Sequence, residues 1–149
     1  MSVLDHFKKK KPEQPPTLLG DIPKAEGWLV ENMNASGYRL DGTIESFREL
    51  DRFFDEQSRP GGLLADGKHG SKLFAVGSYM GQVFVQQLGG AWETDDEDPE
   101  GEANIAVRLP NRSLVWPVRR AINRLRNGAE DGLYVYGRFA EGTLEKEPR

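Results

Sequence analysis

The sequence predicts a single α+β domain, with helices packed on a small antiparallel β-sheet. Three observations predict it. Apolar residues recur at helical spacing in three successive N-terminal segments, the periodicity changes after Trp92 to the alternation of short strands, and Pro117 opens a further helix with an apolar stripe. The 149 residues suffice for one such domain, which buries roughly two-thirds of the surface its unfolded chain exposes. The domain is expected over residues 21–141, after a flexible N-terminal arm at 1–20 and before a loose C-terminal tail at 142–149.

The arm combines Val3, Leu4 and Phe7 with a run of four lysines, Lys8 to Lys11, and with Pro12, Pro15 and Pro16. A helix follows over 22–35, entered through Asp21, with Pro23 in the first turn where its missing N–H is harmless. Its inward face is expected to be Ile22, Ala25, Trp28, Leu29 and Met33. Gly37 ends it before a turn at Asp41-Gly42. Ser46 and Glu49 have the spacing of a capping box, in which the hydroxyl takes a free N–H and the carboxylate reaches back to the cap. That box opens a helix ending near Gln57 whose one face is Phe47, Leu50, Phe53 and Phe54.

Glycines and a proline make 58–70 a loop, and Ser71 is placed to cap the central helix that starts at Lys72. Leu73, Val76, Tyr79, Met80, Val83, Phe84 and Leu88 spread around most of its circumference and leave Ala75, Ser78, Gln82 and Gln86 as a narrow polar strip. A helix that apolar must be enclosed. Gly77 and Gly81 each cost about 1 kcal/mol of helix propensity against Ala, and a close neighbour is the simplest reason to accept them. Gly89-Gly90 stops the helix. Residues 103–109 alternate as a strand, 110–113 have turn chemistry, 114–116 return as a second strand, and Trp92 supplies a third. Pro117 then stands at N1 of a helix with Val118, Ala121, Ile122 and Leu125 on its apolar stripe, ended by Asn127-Gly128. Residues 131–140 fit either a short helix capped by Asp131 or a strand.

The LDxFF helix, the GxYxGxVxxxxLGGxW segment, the hairpin, and the Pro-initiated helix ending in RLxNG before DGLYxY together resemble a group of uncharacterised bacterial domain-of-unknown-function families. The resemblance covers residues 22–140. It is most specific at Gly77, Tyr79, Gly81, Gly89, Gly90 and Trp92, with Pro117, Asn127 and Gly128 behind them. It implies a small bacterial α+β domain and brings no activity with it.

Composition narrows the function. There is no cysteine, so disulfides, thiol catalysis and thiolate metal sites are excluded, which suits a reducing compartment. The net charge of −4 argues against generic nucleic-acid binding. No stretch approaches the roughly 20 apolar residues of a membrane span, and the first residues lack the apolar core of a secretory signal, so a cytoplasmic protein is expected. His6 and His69 are the only histidines, one in the arm and one in the glycine-rich loop.

Charge is segregated along the chain. The acidic run holds Glu93, Asp95, Asp96, Glu97, Asp98, Glu100 and Glu102. Asp96-x-Asp98-x-Glu100-Gly101 imitates the start of a calcium loop, but Val107 stands where the bidentate Glu belongs and Pro99 lies inside, so a solvated, mobile hairpin loop is expected and no metal site. Opposed to it, an acid-free stretch at 103–129 carries Arg108, Arg112, Arg119, Arg120, Arg124 and Arg126. The last four cover the polar face of the Pro117 helix, with Arg120 and Arg124 one turn apart in the manner of an anion clamp. Tyr79, Trp92 and Tyr136 are candidates to line a ligand pocket. The glycine loop at 61–70 lacks the Lys-Ser/Thr ending of a P-loop, and Ser78 sits mid-helix, far from a nucleophile elbow.

These features predict a non-enzymatic cytosolic domain that binds another protein, of the immunity-inhibitor or adaptor kind, without cofactor. Its contacts are expected at Asp95, Asp96, Glu97 and Asp98 for a basic partner or at Arg119, Arg120, Arg124 and Arg126. The alternative is a small-molecule or nucleotide sensor using the Arg-rich helix, and a carboxylate-metal enzyme stands third.

Overall fold

The structure, a computed structural model, describes residues 15–145. The arm's lysines and its apolar start lie outside the described residues. Five helices pack with one three-stranded antiparallel sheet: α1 (Leu18–Ala35), α2 (Phe47–Gln57), α3 (Gly70–Leu88), β1 (Ala91–Glu93), β2 (Ala106–Arg108), β3 (Leu114–Val115), α4 (Pro117–Asn127) and α5 (Leu133–Glu145). Among the described residues no helix is long and apolar enough to cross a membrane.

Helix α1 begins four residues before the predicted start. Thr17, not Asp21, is its N-cap, with Oγ1 accepting from the Gly20 N–H at 3.0 Å, and Pro23 falls inside the helix. The predicted arm therefore gives up residues 18–20 to the fold. Ile22, Leu29 and Met33 are buried as expected, but Trp28 is 50 % exposed, because it lies beside that stripe and not on it.

The capping box at Ser46 does not form. A 3-10 turn at Ile44–Ser46 precedes α2, and Thr43 Oγ1 accepts the Ser46 N–H at 3.2 Å. Ser46 is buried, so its hydroxyl turns inward to the Thr43 carbonyl and the Tyr79 hydroxyl, each at 2.6 Å, while Glu49 accepts the Arg39 N–H at 2.9 Å. The predicted face of α2, Phe47, Leu50, Phe53 and Phe54, is buried throughout.

Helix α3 runs through the middle of the fold and every residue from Leu73 to Gly81 is buried, including Ala75 and Ser78 of the expected polar strip. Its N-cap is His69, without a side-chain capping bond, so Ser71 lies within the helix. The two glycines mark close approaches. A Cβ on Gly77 would come within 2.7 Å of Val118 Cα, and one on Gly81 within 2.7 Å of Trp92 Cζ2. Gly89, at φ 76°, stops the helix in the left-handed conformation.

Trp92 pairs with Val107, and Val107 with Val115, so the sheet is a short meander in the order β1-β2-β3. Only residues 106–108 of the expected strand at 103–109 join it, because Ala103 and Asn104 are turned back by N–H bonds to the Glu100 carbonyl at 3.0 and 3.1 Å. Pro117 opens α4 as predicted, and Gly128 follows its end.

Residues 133–145 form a helix, which settles the choice left open at 131–140 and extends the fold past residue 141 into the expected tail. Asp131 does not cap it. The cap comes from α2: Asp51 Oδ1 accepts the Leu133 N–H at 2.9 Å and Oδ2 the Tyr134 N–H at 3.0 Å. Asp51 Oδ1 also accepts from Arg124 Nε at 2.8 Å, and Asp55 takes the other arm of that guanidinium at 2.6 Å.

Two predictions follow from this packing. Gly77→Leu must push against the α4 backbone, so it is expected to lower stability by about 1–3 kcal/mol or more in urea unfolding. Asp51→Ala removes a buried ion pair and a helix cap together and is expected to cost about 3–5 kcal/mol, whereas Asp131→Ala is expected to cost under about 1 kcal/mol. Unfolding curves of the two variants, read by circular dichroism, check which aspartate holds α5.

Candidate functional site

The acidic segment between β1 and β2 is not a loose hairpin loop but a stack of turns tied to two helices. The Asp98 N–H bonds the Asp95 carbonyl at 3.2 Å and the Gly101 N–H the Asp98 carbonyl at 2.9 Å. Side chains join in: Asp95 Oδ1 accepts the Glu97 N–H at 3.0 Å and Asp98 Oδ1 the Glu100 N–H at 2.8 Å. Such aspartate-to-backbone bonds are what this residue offers in turns. Gly101 is buried at the crossing, where a Cβ would stand 2.9 Å from the Asp95 carbonyl oxygen.

The ties reach α1 and α4. Asp96 Oδ1 accepts the Leu18 N–H at 2.8 Å, so this carboxylate sits at the N-terminus of α1, where the helix leaves free donors. Asn104 donates to Asp98 Oδ2 at 2.8 Å and accepts from Arg119 Nε at 2.8 Å, and Arg119 also reaches Glu100 at 3.2 Å. The bond from Asn104, then the Glu100 N–H and the nearby Arg119 charge hold the Asp98 carboxyl below its usual range.

Between this segment, α1, α3 and α4 lies a groove of about 600 Å³. Leu18, Leu73, Phe74, Val118 and Ile122 give it an apolar floor, and Asp21, Asp96, Asp98, Glu100 and Glu102 stand around it, with Arg119 as the one cation in the lining among the described residues. Asp96 and Asp98 were expected at a site. Asp95 and Glu97 belong to the same segment but not to the lining. Asp21, read from the sequence as a cap, and the apolar floor were missed, because the floor joins residues from three helices and no local spacing marks it.

The Arg-rich helix does not present one basic face. Arg124 is 3 % exposed; burial works against its charge, but the carboxylates of Asp55 and Asp51 more than offset this and favour the charged form. Arg119 is drawn to the acidic segment, Arg120 lies over the Tyr136 ring at 4.2 Å, and Arg126 is exposed. An Arg120–Arg124 clamp is therefore not assembled.

The three candidate pocket aromatics are also kept apart. Tyr79 is in the core with its hydroxyl taking the Gly42 N–H at 2.8 Å, Trp92 covers Gly81 and donates to Gln82 at 3.1 Å, and Tyr136 packs edge-on to Phe84 at 6.2 Å. None of them lines the groove. His69 is half-buried at the start of α3, and among the described residues no three His, Cys, Asp or Glu side chains converge as metal ligands.

The lowered Asp98 carboxyl sets a pH dependence. A carboxylate favoured by the fold adds stability above the ordinary aspartate range, near pH 4, and that contribution is lost as the pH falls through the lowered value. Wild type is thus expected to exceed Asp98→Ala in stability at neutral pH, with the gap narrowing below about pH 4; urea unfolding of both across pH checks this. Compared with models of protein families, with curated proteins and with solved structures, the chain matches none.

Proposed function

We propose that the protein is a non-enzymatic domain of the bacterial cytosol that binds a basic, partly apolar segment of another protein in the groove beside the acidic turns, as an immunity-type inhibitor or an adaptor does. One observation carries this reading: an apolar floor enclosed by five carboxylates and a single arginine. The charges suit steering of a basic partner, and the floor suits burial of its apolar side chains, at roughly 25 cal/mol per Å² of apolar surface removed from water.

The groove's chemistry favours binding over catalysis. Among the described residues its lining has no Ser, Thr, Cys, His or Tyr. Asp96, Asp98 and Glu100 are engaged by Leu18, Asn104 and Arg119, which holds these carboxylates in place around the groove. The lack of cysteine suits the reducing cytosol. An anion sensor on the Arg-rich helix has less support, since Arg119, Arg120 and Arg124 point to three different partners.

The test is the partner itself, recovered by affinity from the native host, and its association rate with the wild type and with Asp21→Asn/Glu102→Gln. Both of these positions line the groove, and neither side chain holds the acidic turns together. The double variant is expected to associate several-fold more slowly at low salt and to approach the wild type as salt shortens the screening length below about 10 Å. A partner whose association ignores both salt and these charges would refute the groove as its site.

A further inference from the structure

A second pocket, toward the C-terminal end of α1, has a different chemistry. It holds about 290 Å³ and is lined almost wholly by apolar surface, with Trp28 and Met33 from α1, Tyr38 from the following turn, Phe53 from α2, Leu63 from the glycine-rich loop and Lys72 from the first turn of α3. Trp28 and Leu63 are 50 % and 54 % exposed, so two large apolar side chains stand half in water around it. The Leu63 backbone is pinned there, its N–H on Gln57 Oε1 at 3.1 Å and the next N–H, of Leu64, on the Gln57 carbonyl at 2.8 Å.

Most polar groups of this pocket are committed, and among the described residues Lys72 is the one charged group in its lining. Tyr38 donates to Glu56 at 2.6 Å, Asn32 to the Trp28 carbonyl at 2.8 Å, and Gln57 holds the loop. Lys72 pairs with no carboxylate among the described residues; its ammonium reaches only the Lys68 carbonyl, at 3.5 Å. It also stands in the first turn of a helix that has neither a side-chain cap nor an acidic residue in that turn, so the positive end of the helix adds to its own charge.

We infer that this pocket is a binding site for a small apolar monocarboxylic acid, its hydrocarbon body among Trp28, Met33, Phe53 and Leu63 and its carboxylate on the Lys72 ammonium. The volume of about 290 Å³ falls just under the range of small-molecule sites, roughly 300–1,000 Å³, which favours a short ligand over a long acyl chain. An apolar body meets the apolar walls, and an anion meets the one unmatched charge. The site is separate from the acidic groove, whose lining shares none of these residues, so either assignment can fail without the other.

The test titrates the full chain with octanoate, octanol and octylamine, following amide shifts by NMR. Octanoate is expected to bind saturably, shifting Leu63 and Lys72 and the Trp28 indole, roughly tenfold more tightly than octanol, as one charge-assisted hydrogen bond provides. Lys72→Met is expected to bring octanoate to the level of octanol, and Lys72→Glu to reverse the order so that octylamine binds best. Lys72 is half-exposed, and far-UV spectra of the variants confirm their folding. Equal affinity for octanoate and octanol, octanoate binding untouched by either variant, or no saturable binding at all would overturn the inference.

Discussion

Asp51 joins three helices that lie far apart in the chain. Its carboxylate takes the first two N–H groups of α5 and one edge of the Arg124 guanidinium of α4, while its own backbone belongs to α2. A buried arginine is costly to desolvate, and one carboxylate rarely repays that cost. Here Asp55 and the Asp51 main-chain carbonyl take the two donors of Nη2 on the same guanidinium, at 2.6 and 3.1 Å. The N-terminus of α5, short of acceptors by its own geometry, supplies the positive partner for the rest of the Asp51 charge.

That cluster fixes the orientation of α4, and the acidic groove depends on the orientation. With Arg124 turned inward, Val118 falls against Gly77 of α3 and Arg119 comes out beside the acidic turns. Gly77 sets how closely α4 can approach the central helix, and Val118 and Ile122 then become floor for the groove instead of core for a sheet. Gly81 does the same for Trp92, whose ring lies on the central helix and carries β1 toward the start of the acidic segment.

The two concave surfaces divide their energetics differently. The acidic groove presents charges that are largely exposed; in the proposed complex such charges would change association rates and salt dependence more than affinity, and the apolar floor would supply most of the binding energy. In the pocket beneath Trp28 the balance is reversed in kind, with nearly all the wall apolar and, among the described residues, Lys72 as the one charge that would select the proposed ligand. Helix α1 contributes to both, through Leu18 and Asp21 at its start and through Trp28 and Met33 further along.

The sequence by itself determined the elements that are governed by neighbours in the chain. The apolar stripe of α2, the enclosed length of α3, its stop at Gly89-Gly90, the opening of α4 at Pro117 and the three short strands all follow from spacing and turn chemistry. Tertiary structure alone decided which polar atoms meet. Ser46 has the spacing of a capping residue, but the Tyr79 hydroxyl, 33 residues away, claims it; Asp131 has the position of a cap, but Asp51, 82 residues from Leu133, fills the role. Arg124 looks on a helical wheel like one more surface arginine and is instead the buried centre of an ion cluster. Helical periodicity states that a face is polar or apolar and carries no information about what packs on it. Caps, ion pairs and the floor of the groove are choices among distant groups competing for the same few donors, and only the folded arrangement resolves that competition.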